Sequence, residues 1–278
     1  LILLACLTAC SPARLLVAGV PQDGFTVERG IPYEDGERHQ LDIYQPVHPL
    51  PGNPVIVFFY GGEWKYGERQ DYGFVAEPLA DAGVTVVVPD YRLYPPTAFP
   101  GFIEDGAVSV AWVRDHISQH GGNPKSLFVM GHSAGAYIAA MLAVNPAYLG
   151  KVGMKPGDLS GFIGVSGPYN FLPITWPELK PIFEVVPDLG VTQPISFVDG
   201  QNPPALLLVG ADDTTVNPDQ NTTAFWGRIL EKGGSARRII YPGVGHIGAI
   251  TAFAPLFRDR APVLEDTVDF VEEKSASN

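Results

Sequence analysis

Ser126-Leu127-Phe128-Val129-Met130-Gly131-His132-Ser133-Ala134-Gly135-Ala136-Tyr137-Ile138-Ala139-Ala140-Met141-Leu142 changes character at its middle. The first half is a continuous apolar run entered through Gly121-Gly122-Asn123-Pro124, the pattern of a buried strand. The second half, from Ala134 on, is rich in strong helix formers. Between them stands Gly131-His132-Ser133-Ala134-Gly135, a Gly-x-Ser-x-Gly match. The two glycines let strand and helix pass closely while the serine is held in a strained turn with its hydroxyl exposed. Strand, sharp turn with a central serine, then helix is the nucleophile-elbow arrangement.

Working outward, buried strands are expected at 55–60, 84–88, 162–165, 205–209 and 237–241. Helices are expected at 72–82, 102–116 and 218–232, with a last one starting near Pro262. Strands alternating with helices imply a mainly parallel sheet covered on both faces. Phe25–Arg29 and Leu41–Tyr44 alternate apolar and polar, as half-exposed antiparallel strands do. The segment 166–204 is irregular, with many prolines and aromatics, and reads as a lid or pocket wall within a single catalytic domain spanning 11–278.

A serine hydroxyl is a poor nucleophile at neutral pH and needs a histidine to take its proton and a carboxylate to orient that histidine. Functional loops of a parallel sheet gather at the carboxyl ends of its strands, so both partners should follow later strands. Of the six histidines only His246, in a Gly-rich loop after the last expected strand, lies downstream of Ser133. Either Asp212 or Asp213, directly after the 205–209 strand, can supply the acid. The tetrahedral intermediate also needs N–H donors for its oxyanion. Tyr60-Gly61-Gly62-Glu63-Trp64 closes an earlier buried strand, so Gly61 and Gly62 are candidates together with the N–H of Ala134.

These motifs resemble the carboxylesterase and hormone-sensitive-lipase-like group of α/β-hydrolases, in particular its small-esterase and kynurenine-formamidase-like branch. The resemblance rests on Tyr60–Trp64, Asp90-Tyr91-Arg92-Leu93 with Phe99-Pro100, the Gly131–Gly135 elbow, Gly210 to Val216, and Gly245-His246, and covers about residues 41–270. It implies an α/β-hydrolase fold with about eight strands and the triad order Ser133, Asp213, His246. The family pattern selects Asp213, three residues after the glycine and three before the valine, and leaves Asp212 as a turn stabiliser. Two departures stand out: Tyr60 replaces the usual histidine before the glycines, and Glu63 replaces the third glycine of the lipase-like members.

The expected chemistry is hydrolysis of short to medium acyl or aromatic esters through an acyl-enzyme on Ser133. Glu63, Trp64, Tyr169, Phe171 and Trp176 are candidate substrate contacts. An arylformamidase or amidase would use the same triad, and a binding lipoprotein with a hydrolase fold would lack a working one. Asp90 and Arg92 read as a structural ion pair or loop hydrogen bonds, Glu104 and Asp105 as acids at a helix start. Asn221-Thr222-Thr223 matches a glycosylation pattern. No cofactor is expected, and no His/Asp/Glu spacing suggests a metal.

The net charge of -12, from 30 acidic and 18 basic residues, argues against a nucleic-acid or anionic-membrane partner. Both cysteines, Cys6 and Cys10, fall in the first ten residues, which leaves no Cys-based metal site or disulfide framework in the body of the chain. The apolar segment 1–10 reads as a signal-peptide remnant, too short to span a bilayer. Leu7-Thr8-Ala9-Cys10 resembles a bacterial lipobox with Cys10 as the lipidated residue. The expectation is an envelope protein, outer-membrane-anchored and facing the periplasm, or secreted.

Overall fold

The computed structural model describes residues 16–17 and 19–276, so the remnant at 1–10 and Cys10 lie outside the described residues. One eight-stranded sheet runs through them in the order β1-β2-β4-β3-β5-β6-β7-β8. Its strands are β1 (Phe25–Pro32), β2 (Gln40–Pro46), β3 (Val55–Phe59), β4 (Thr85–Pro89), β5 (Leu127–His132), β6 (Gly161–Val165), β7 (Ala205–Gly210) and β8 (Ala236–Tyr241). β2 is antiparallel to both β1 and β4, and every pairing from β4 to β8 is parallel. Strands β3 to β7 are buried along their whole length, which explains why they read as unbroken apolar runs.

The helices are α1 (Gly73–Asp81), α2 (Gly101–His116), α3 (Ala134–Val144), α4 (Pro146–Lys151), α5 (Lys180–Phe183), α6 (Ala224–Glu231), α7 (His246–Thr251) and α8 (Val263–Ser275). α2, α3 and α4 pack together as one layer, while α1 contacts α7 and α8 in the other. α3 is apolar all round and buried at every residue, as a helix covering the sheet centre must be. Among the described residues no helix is long and apolar enough to cross a membrane.

Two expectations about elements change. The 218–232 helix opens with a π-helical turn, Asp219–Thr223, before α6. His246 is not in a flexible loop; it is the first residue of α7. The proline-rich segment between β6 and β7 folds into short helical turns (Pro177–Leu179, Leu189–Thr192, Pro194–Phe197) around α5.

Candidate active site

Ser133 sits between β5 and α3 with φ 53° and ψ −120°, a left-handed conformation that a non-glycine residue adopts only under constraint. The constraint is packing. A Cβ on Gly135 would lie 1.9 Å from the Phe59 carbonyl oxygen, and one on Gly131 would lie 2.3 Å from the Gly135 backbone. The Ser133 N–H donates to Val165 O at 2.9 Å, which ties the turn to β6.

The other two strand ends bring their side chains to the same place. The Ala211 N–H donates to Tyr241 O at 2.8 Å and the Asp212 N–H to Val244 O at 2.9 Å, stitching the loop after β7 to the loop after β8. Asp213 Oδ2 then lies 2.8 Å from His246 Nδ1, and His246 Nε2 lies 3.0 Å from Ser133 Oγ. Ser133, His246 and Asp213 therefore form one continuous hydrogen-bonded chain. Burial alone would raise the Asp213 carboxyl. The hydrogen bond and charge of His246 and the Val216 N–H outweigh it and hold the group below the usual carboxylate range.

Asp213, not Asp212, stabilises the turn. Its Oδ1 accepts from the N–H groups of Thr215 (3.0 Å) and Val216 (2.8 Å), whereas Asp212 is exposed. One carboxylate thus shapes the loop with one oxygen and orients the imidazole with the other. His132, beside Ser133, is buried with its ring centroid 4.9 Å from that of His246. Burial first, and the neighbouring His246 second, push it down to about 3, so its imidazole is neutral at ordinary pH.

The loop after β3 is fixed by its backbone. Gly62 has φ 122°, and a Cβ there would lie 2.2 Å from Tyr66 O; Glu63 and Trp64 are both left-handed, at φ 56° and 58°. Gly62 O accepts from the N–H groups of Lys65 and Tyr66, each at 2.9 Å. Beside this loop, burial and the Asp71 charge push the Tyr72 phenol up to about 12. Among the described residues no carbonyl or side chain accepts from the N–H of Gly62 or Glu63.

Tyr60 braces this loop in a way the sequence did not reveal. Its hydroxyl donates to Asp90 Oδ1 at 2.8 Å and accepts from Arg38 Nη2 at 2.5 Å, and its carbonyl accepts from the Tyr91 hydroxyl at 2.7 Å. Asp90 also pairs with Arg69, which reaches the fully buried Asp42 at 2.7 Å. Asp90 and Arg92 do not pair with each other, contrary to one expectation. Arg92 is bound to Asp105 through Nε at 2.9 Å and Nη2 at 2.5 Å. Asp105 is consequently a buried ion-pair partner rather than an acid complementing a helix end, while Glu104 pairs with Lys151 at 2.7 Å. Folding also gathers Glu34, His39 and Asp105 until their potential ligand atoms lie within 4.8 Å, a cluster their spacing did not suggest. Its most buried carboxylate is the one held by Arg92.

A cavity of about 330 Å³ opens over Ser133. One wall is the segment after β6, with Pro168, Phe171, Ile174 and Trp176; the other is the segment after Asp213, with Thr214, Val216, Asn217 and Gln220. Glu63 and Trp64 complete it. Trp64 is packed edge-on against Tyr137 (5.2 Å) and Phe183 (4.8 Å). Four of the five candidate substrate contacts thus line the cavity. Tyr169 does not: it is fully buried, stacked on Phe225 at 4.6 Å and edge-on to Phe162 at 6.2 Å, as part of the core. The Thr214–Asn217 wall escaped the sequence reading, although its position directly after Asp213 was the available signal. Asn221 is buried and its Oδ1 accepts from the Tyr169 and Asn170 N–H groups at 2.9 Å each, so the glycosylation pattern is closed to modification.

An antiparallel β2 leading into a parallel sheet, a strained serine after β5, an acid after β7 and a histidine after β8 define the α/β-hydrolase fold. The chain has the α/β-hydrolase fold. A family model described as BD-FAE matches residues 41–174. A truncated form of a carbohydrate esterase from gut microbiota superimposes with a TM-score of 0.79 at 22% identity, covering 92% of this chain and 99% of that one. A probable isoprenylcysteine alpha-carbonyl methylesterase of Arabidopsis thaliana is 28% identical over 84% of this chain, which spans 55% of that relative's length. A kynurenine formamidase of Salmo salar is 33% identical over 52% of this chain and 47% of its own.

Proposed function

We propose that the protein is a serine hydrolase of the carboxylesterase type that cleaves small carboxylic esters. The observation that carries this reading is the Ser133–His246–Asp213 chain, with contacts of 3.0 and 2.8 Å, opening into an aromatic-walled cavity. His246 Nε2 accepts the Ser133 proton as Oγ attacks the ester carbonyl. Asp213, ionised, holds the Nδ1–H tautomer and stabilises the imidazolium that forms. The oxyanion is received by the N–H groups of Ala134 and of the loop after β3, where Gly61 and Gly62 are the candidate donors and the Glu63 N–H is a further one. His246 then returns the proton to the departing alcohol, and water activated by the same imidazole releases the acid from Ser133.

Trp64, Phe171 and Trp176 suit short to medium acyl or aromatic groups. The similarity to a kynurenine formamidase supports a second reading, in which the same triad cleaves a formamide C–N bond. A panel of p-nitrophenyl esters of increasing chain length, set beside N-formylkynurenine, tests both. Ester hydrolysis abolished by Ser133→Ala is the expected result; cleavage of the formamide alone moves the assignment to an amidase. The envelope location rests on the Leu7–Cys10 lipobox resemblance. Mass spectrometry of membrane-extracted native protein is expected to find a diacylglyceryl group on Cys10, and an unmodified cysteine contradicts it.

A further inference from the structure

We propose that Glu63 makes the cavity selective for esters that carry a positive charge and unfavourable to anionic ones; the proposal rests on the serine-hydrolase reading above. Among the described residues that line the cavity, Glu63 is the only Asp, Glu, Lys, Arg or His, the rest being aromatic, aliphatic, proline, hydroxyl or carboxamide side chains. An anionic substrate therefore finds no cationic partner inside, and its desolvation goes uncompensated. A cationic one finds a carboxylate one residue from Gly62, on a loop whose consecutive left-handed residues fix where that carboxylate starts.

The Glu63 carboxylate is available. Its side chain is 48% exposed, and among the described residues no hydrogen bond engages it. It forms an ion pair with Lys65, whose Nζ is 3.8 Å from Oε2, beyond hydrogen-bond reach, and which is not among the described residues lining the cavity. Trp64 and Phe171 lie along the same cavity, and Trp176 is 41% exposed there. A carboxylate and aromatic rings lining one cavity form a side-chain set that suits ammonium groups. The net charge of -12 adds attraction of the same sign at longer range.

The test compares kcat/KM for a choline ester and its uncharged carbon isostere, the 3,3-dimethylbutyl ester of the same short acid. Wild type is expected to favour the cationic ester by roughly three- to tenfold, the scale of one partly exposed ion pair with a cation–π contact. Glu63→Gln should bring the ratio close to one, and Glu63→Lys should invert it. Because the side chain is half exposed, neither change disturbs the core. A ratio near one in wild type, or one unmoved by Glu63→Gln, overturns the proposal while leaving the hydrolase reading intact. Failure of wild type to hydrolyse either ester while it cleaves p-nitrophenyl esters overturns the proposal alone, and failure on every substrate, N-formylkynurenine included, overturns the hydrolase reading with it.

Discussion

His132 should make the protein acid-labile well above the pH at which its carboxylates are protonated. The imidazole is fully enclosed between Ser133 and the His246 ring, and its folded pKa lies at about 3 against an ordinary 6.5. The folded state therefore refuses a proton that the unfolded chain accepts throughout that interval. Stability is highest above pH 6.5 and falls as pH drops, by up to about 1.4 kcal/mol per pH unit, until the folded group titrates. Between pH 6.5 and 4.5 the linkage integral for this one group is about 2 kcal/mol. Replacing His132 by Gln removes the titration and keeps a neutral polar side chain. Urea unfolding of both proteins at several pH values isolates the term, since every other titrating group is common to the pair. Wild type should lose about 2 kcal/mol more than His132→Gln over that interval. Parallel pH profiles for the two proteins would refute the reasoning.

Asp213 behaves in a lower window. Its carboxyl is depressed in the folded state, so its contribution is present above the ordinary carboxylate value of 3.8 and is lost as pH falls through the lower folded one. Asp213→Asn should lower kcat on a p-nitrophenyl ester by about 10³–10⁴ with little change in KM, because the wrong imidazole tautomer is then favoured. Asp90→Ala should destabilise the fold by about 3–5 kcal/mol in urea unfolding, since it strips Arg69, 11% exposed, of a buried counter-charge. Asp90→Asn, which still accepts from the Tyr60 hydroxyl, should recover part of that loss and more of the activity than of the stability.

The sheet was legible because its central strands are buried on both faces and therefore apolar throughout, a signal needing no partner to read. The meeting of Ser133, Asp213 and His246 was legible for a related reason: each follows a strand, and a parallel sheet turns that order into proximity. Tyr169 and Phe171 show where legibility stopped. Both are aromatic and two residues apart, yet one enters the core and the other lines the cavity, because an irregular backbone has no period from which to assign faces. Asp105 misled for a different reason. A carboxylate near a helix start fits the dipole, and only the fold reveals that Arg92, thirteen residues earlier, returns to bind it.

If His246 activates Ser133 as a nucleophile, Ser133 reacts with an alkyl fluorophosphonate in the folded protein, and tandem mass spectrometry of its peptides locates the adduct. One phosphonyl adduct on Ser133, lost in His246→Ala and accompanied by loss of ester hydrolysis, is the predicted result. An unmodified Ser133 in protein that still hydrolyses esters would contradict it.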